Sequence, residues 1–285
     1  MLRPHTLIVF VLLALVALFS SGCGDDKSSS AADGVVDPTV RLKTALSNAA
    51  KLKSGEFTLD ATISGGSFPG ALKITGGGTF DTAAKPAEAD VNLSVDLGPT
   101  KQELGFVSVA GKNYVKFGDR AFEMKEGKTG GSSMTVDPKQ VQSLINSLDE
   151  YVSDVKRDGT TQAAGKTLDV YTAKIDVDKI ATDAENKNGG DLPSIPGLGN
   201  TKDLAKSVGE TTVSIGIDDQ DLPRSLALNT SFGGATGDAD QGGLKATLLL
   251  TEINEPVEIK KPANIVEGQD AIQALGGLLG GISGQ

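Results

Sequence analysis

The sequence predicts an α+β domain built on a meandering antiparallel sheet. Three observations carry this expectation. Apolar residues alternate with polar ones in a series of short runs between residues 57 and 253. The spacings between runs are short and rich in Gly. Two Asp-Pro pairs, Asp37-Pro38 and Asp137-Pro138, open stretches whose apolar residues recur at helical spacing. The order is helix, strands, helix, strands, without the strict alternation of a βαβ chain.

In chain order, Asp37 is the expected N-cap of a first helix with Pro38 at its first position. Val40, Leu42, Ala45, Leu46, Ala49 and Leu52 follow mostly at helical spacing, and Ser54-Gly55 is read as the stop. The period then changes to two. "FTLDATI" places Phe57, Leu59, Ala61 and Ile63 on one face, and "VNLSVDL" does the same with Val91, Leu93, Val95 and Leu97. Similar runs are "ALKITGGGTF" (71–80), "ELGFVSVAG" (103–111), "NYVKFG" (113–118) and "RAFEMK" (120–125).

The second Asp-Pro pair opens "DPKQVQSLINSLDEYVSDV", where Val141, Leu144, Ile145, Leu148 and Val152 form an apolar helical stripe. After the run at 166–175, a further helix is expected near Asp176, carrying Val177, Ile180 and Ala181. Runs at 211–217, 224–232 and 244–253 complete the sheet. "DDQDLP" at 218–223 reads as a polar turn between two strands. A calcium loop would also need its Gly and a distal Glu at the right spacing, and both are missing.

Three stretches lack periodicity. "GDDKSSSAADG" (24–34) is small and polar and reads as a flexible tether. "GGDLPSIPGLGN" (189–200) is too rich in Gly and Pro for regular structure, yet it carries Leu192, Ile195 and Leu198. It is either a connection packed on the sheet or a flap that meets a cavity mouth or a membrane. The tail "AIQALGGLLGGISG" leaves the same two readings open, since its glycines weaken any helix.

The N-terminus addresses the chain. Arg3 precedes an apolar run from Leu7 to Phe19, followed by Ser20, Ser21 and Gly22 and then Cys23. A charged start, an apolar middle and a small-residue site describe a signal peptide, and the run is shorter than the ~20 residues of a spanning helix. Small residues directly before the lone cysteine resemble the lipobox of bacterial lipoproteins, although Ser20 stands where Leu is usual. That resemblance implies that Cys23 receives a diacylglyceryl group and becomes the first mature residue. An unpaired thiol would be a liability in an exported protein, and thioether formation removes it.

Composition excludes much chemistry. The only His is His5, inside the signal, so the mature chain has neither His nor a usable thiol. No Ser-His-Asp triad, Cys-His pair, c-type haem or Cys/His zinc site can be built, and no cofactor is expected. "GTTQAAGKT" (159–167) puts five residues between its glycines where a phosphate-binding loop has four, and it precedes a strand. "SDVK" (153–156) and "KTG" (128–130) stand in the reverse of the β-lactamase order. The net charge of −10 becomes one unit more negative when Arg3 leaves, which argues against nucleic acid and against electrostatic attraction to anionic headgroups.

With these residues in hand, the chain resembles a family. Cys23 in its lipobox, "KLKSGEFTLDATISG", "VAGKNYVKFGDRAFEM", "AAGKTLDVYTAKIDVDKI", "VSIGIDDQDLPRSLAL" and "INEPVEIKKPA" are similar to the LppX/LprAFG group of actinobacterial envelope lipoproteins. The similarity spans most of residues 38 to 263 and rests on element order and diffuse motifs. It implies a curved antiparallel half-barrel with helices over its concave face, an architecture similar to the LolA/LolB carriers. It also implies a non-enzymatic protein that binds acylated lipid or glycolipid and carries it within the envelope, in exchange with the membrane and an envelope lipid transporter. The long 186–206 insertion and the Gly-rich tail depart from the family.

On that resemblance the chain divides into a signal (1–22), a lipidated tether (23–36), a lipid-binding domain (37–266) and a tail (267–285). The apolar strand face becomes the cavity lining. From the first strands come Phe57, Leu59, Ile63, Leu72, Ile74, Val91, Leu93 and Val95, and from the helix Leu144, Ile145 and Leu148. The last strands supply Val213, Ile215, Leu226, Leu228, Leu248 and Leu250, and the portal carries Leu192, Ile195 and Leu198. The alternation by itself fits a filled core as well as a cavity wall, and a solid protein-binding lipoprotein domain is the alternative reading.

Overall fold

In the computed structural model, residues 37–65, 71–96, 98, 101–124, 148–186, 208–232 and 242–266 are described. The signal, the tether, the 189–200 stretch and the tail lie outside these residues, as do Leu144 and Ile145. Helix α1 (Pro38–Ala49) begins as the sequence dictates: the Asp37 carboxylate accepts the Thr39 N–H at 2.7 Å, and Pro38 occupies the first turn. Its buried face is Leu42, Ala45 and Ala49, whereas Val40 points outward. The helix ends at Ala49, and Ser54 is already the first residue of strand β1 (Ser54–Ser64).

The strands that follow are β2 (Leu72–Asp81), β3 (Glu88–Asp96), β4 (Lys101–Val109), β5 (Lys112–Phe117) and β6 (Arg120–Glu123). Beyond helix α2, described over Leu148–Tyr151, come β7 (Val152–Ala163) and β8 (Lys166–Ile175). Helix α3 (Val177–Asn186) starts with Asp176 accepting the Lys179 N–H, and β9 (Val208–Ile217), β10 (Pro223–Phe232) and β11 (Gly242–Thr251) follow. All eleven described strands join one open, curved antiparallel sheet in the order β6-β5-β4-β3-β2-β1-β11-β10-β9-β8-β7. Two meanders, β1 to β6 and β7 to β11, are thus stitched together where the first and last strands pair.

Local chemistry explains the tight connections. Ala110-Gly111 and Ala164-Gly165 are two-residue turns with positive φ at both positions, the geometry whose twist matches that of the flanking strands. In β2, Gly76 and Gly78 are needed for close approach. A Cβ on Gly78 would lie 3.0 Å from the Phe57 ring, and one on Gly76 would lie 2.8 Å from a Leu93 methyl. The missing side chains let Phe57 and Leu93 fold over the middle of β2.

The periodicity predicts every strand except β7, and here the structure corrects the sequence reading. The helical stripe was expected to run through Val152, but the helix stops at Tyr151 and the chain enters β7 at once. β7 is an edge strand with two register shifts and exposed Lys156, Arg157 and Asp158. Bulges and charges are how an open edge avoids pairing with another chain, and they erase the alternation by which strands are recognised. The opposite edge is covered. After β11 the chain runs back to β6, where Ala121 donates to Asn264 O and accepts from the Val266 N–H, both at 2.8 Å.

Candidate functional site: an apolar sheet face

The pairing register places most apolar strand residues on one face, while Val107, Tyr114, Ala121 and Leu168 are buried on the other. One row across the sheet reads Ile215, Leu226, Leu248, Leu59, Gly76, Leu93, Leu104 and Phe117. The next row reads Val213, Leu228, Ala246, Ala61, Ile74 and Val95. Leu250, Phe57, Gly78, Val91, Phe106 and Val115 form a third, and Ile63 pairs with both Leu72 and Leu244. All the strand residues expected to line a cavity therefore share one face.

They do not share one environment. The middle of the sheet is a packed floor: Phe57, Leu59, Ile63, Leu72, Ile74, Leu248 and Leu250 are buried, and Ala49, Leu52, Phe80 and Ile253 belong to the same cluster. Toward one edge, α1 lies on this face, with Leu42 and Ala45 packed among Tyr171, Ala173, Ile215 and Ile217. Val213, Leu226 and Leu228 are half-buried between the two clusters. Toward the other edge lies a less buried wall, bounded on β6 by Phe122, which is buried again. Val91, Leu93 and Val95 are half-buried, and so are Leu104, Phe106, Val115 and Phe117 on β4 and β5. These last four continue the wall although only the first three are expected from the sequence. The signal was present in the alternation of "ELGFVSV" and "NYVKF", but only the register shows that these strands border the wall.

Leu148 is the first described residue of α2, and its side chain lies outside the described residues. Cys23, Leu192, Ile195 and Leu198 also lie outside them, as noted for Leu144 and Ile145. Among the described residues no cluster of His, Cys, Asp and Glu could hold a metal ion, and no helix is long and apolar enough to cross a membrane.

Among the described strand residues of this face, charge is compensated with one exception. Arg157 pairs with Asp169, and Arg224, at the irregularity that opens β10, donates to Asp218 at 2.8 Å. Arg120 stands directly opposite Phe117 across the Gly118-Asp119 turn, is exposed, and makes no ion pair among the described residues.

The Asp218 turn secures α1. The buried Asp218 carboxylate accepts the Gln220 and Leu222 N–H groups at 2.9 and 3.0 Å, besides Arg224. Burial pushes this carboxyl up, but Arg224 and the two backbone donors outweigh it and hold it below the usual carboxylate range. From α1, Arg41 pairs with Asp221, and Asn48 donates to the Asp221 carbonyl at 3.1 Å. "DDQDLP" is thus a turn whose acids are used to fasten a helix.

No protein-family model matches this chain, and no curated protein does. Among solved structures, LprF from Mycobacterium bovis is similar at 15% identity and a TM-score of 0.45, over 79% of this chain and 97% of that one. Mycobacterium tuberculosis lipoprotein LppX is similar at 16% identity and a TM-score of 0.42, over 78% and 98%. A putative outer membrane lipoprotein-sorting protein domain from Vibrio parahaemolyticus is similar at 8% identity and a TM-score of 0.24, over 85% and 99%. The reading of the site rests on the chain's own geometry.

Proposed function

We propose that this protein is an exported, lipid-anchored carrier that holds the acyl chains of a lipid or glycolipid against the apolar face of its sheet and moves them within the cell envelope. The observation that supports the reading is the change along that face from a packed floor to a wall of half-buried aliphatic and aromatic side chains. Ligand sites for apolar molecules are concave and lined this way, and a curved sheet supplies the concavity. The lack of His and of a usable thiol in residues 23–285 fits binding without covalent chemistry.

In this reading Cys23 carries the anchor, facing outward from the cell membrane, and Leu192, Ile195 and Leu198 form an apolar portal through which the ligand enters. An envelope lipid transporter would be the exchange partner. Native mass spectrometry of the protein purified from its own host tests the proposal. The expected result is an added mass of lipid size that organic solvent releases. A homogeneous, ligand-free mass from envelope-extracted protein would overturn it in favour of a solid-core lipoprotein that binds another protein.

A further inference from the structure

We infer that the ligand of the apolar wall is an amphiphile with an anionic headgroup, and that Arg120 is the residue that recognises it. The inference rests on the lipid-binding reading above and specifies the chemistry of the same site. The row that ends the wall runs Leu93, Leu104, Phe117 and then Arg120, with the last pair fixed by the two-residue turn between β5 and β6. Phe117 and Phe122 meet with ring centroids 6.1 Å apart, which places Arg120, two residues before Phe122, on the same side of the sheet.

An acyl chain lying along this row would bring its polar end to the guanidinium. The protein as a whole is acidic, and other cations near it are committed. Lys112 pairs with Glu123 at 2.9 Å and Lys116 with Asp90 at 3.0 Å, both from positions on the opposite face. Arg120 alone brings an uncompensated positive charge to the end of the wall among the described residues. Its forked donors fit a phosphate or a carboxylate, and an apolar neighbour such as Phe117 strengthens the pairing by excluding water.

Displacement of an environment-sensitive fluorophore by three amphiphiles of equal chain length tests this: hexadecyl phosphate, palmitate and monopalmitoyl glycerol. The wild type should bind the two anions at least about tenfold more tightly than the neutral compound, the worth of one charge-assisted hydrogen bond. Arg120→Gln should abolish that preference while leaving affinity for monopalmitoyl glycerol unchanged, and Arg120→Lys should retain part of it. Whichever anion binds better identifies the headgroup as phosphate or carboxylate. Equal affinities in the wild type, or a preference that survives Arg120→Gln, would overturn the inference and leave the carrier reading standing. Failure of all three to bind would overturn both.

Discussion

At the scale of single residues, Asp218 concentrates more interactions than any motif in the sequence suggests. Its carboxylate is buried against Arg224, with Lys166 at 3.3 Å as a further partner. Removing one member of a buried pair strands the other, so Asp218→Asn should cost about 3–5 kcal/mol in urea unfolding. The sign of the pH dependence follows from the lowered carboxyl. Stability from ionised Asp218 is fully present above the unfolded carboxylate value of ~3.9 and is lost as pH falls through the lower folded value. The gap between wild type and Asp218→Asn should therefore be flat between about pH 5 and 8 and shrink below about pH 4. A gap that stayed constant to pH 2 would show that the charge of Asp218 is not what the fold uses. Three acids within four positions were legible as a turn because short polar side chains bond their own backbone. Arg41 and Lys166 as partners were not legible, since they come from α1 and β8, far away in the chain.

At the scale of elements, the floor and the wall differ in what they tolerate. Ala61 and Val95 stand in one cross-strand row, separated only by Ile74, but Ala61 is 1% exposed and Val95 is half-buried. Enlarging a side chain in a filled interior forces its neighbours off their rotamers, so Ala61→Leu should cost about 1–3 kcal/mol. Val95 is half-buried at the border of the floor cluster, and if the wall lines a ligand cavity Val95→Phe should change stability by less than about 0.5 kcal/mol, the scale of a surface substitution. It should also lower the amount of co-purifying lipid. Equal losses in thermal unfolding would mean that the wall is packed like the floor. Strand β7 shows why elements at the edge escape sequence reading. A strand buried on one face must alternate, whereas an edge strand is shaped by the need not to pair, which favours charges and bulges. The helix boundary at Tyr151 was hidden for the same reason: Val152 and Val155 continue an apolar stripe but pack against the Leu42 and Ala45 cluster from a strand.

For the whole molecule, the anchor and the carrier act together, and the anchor has its own test. Two or three acyl chains at Cys23, each buried methylene adding ~0.8 kcal/mol, would make a lasting tether. Cys23→Ala should then move to the soluble fraction or remain uncleaved, and normal processing with full membrane retention would refute the lipid anchor. The sequence by itself determined the class of the fold and the composition of its apolar face. Period two assigns side chains to faces because successive Cβ atoms point in opposite directions whatever lies beside the strand. Only the tertiary structure decided which part of that face is floor and which is wall. Leu59 and Leu93 have the same local alternation and are neighbours of the same glycine. Leu59 is buried in a cluster that Ala49, Leu52 and Ile253 complete, while Leu93, in the next strand but one, is only half-buried at its border. What a side chain meets above the sheet is set by chain segments distant in sequence, and so is the position of Arg120 at the end of the row.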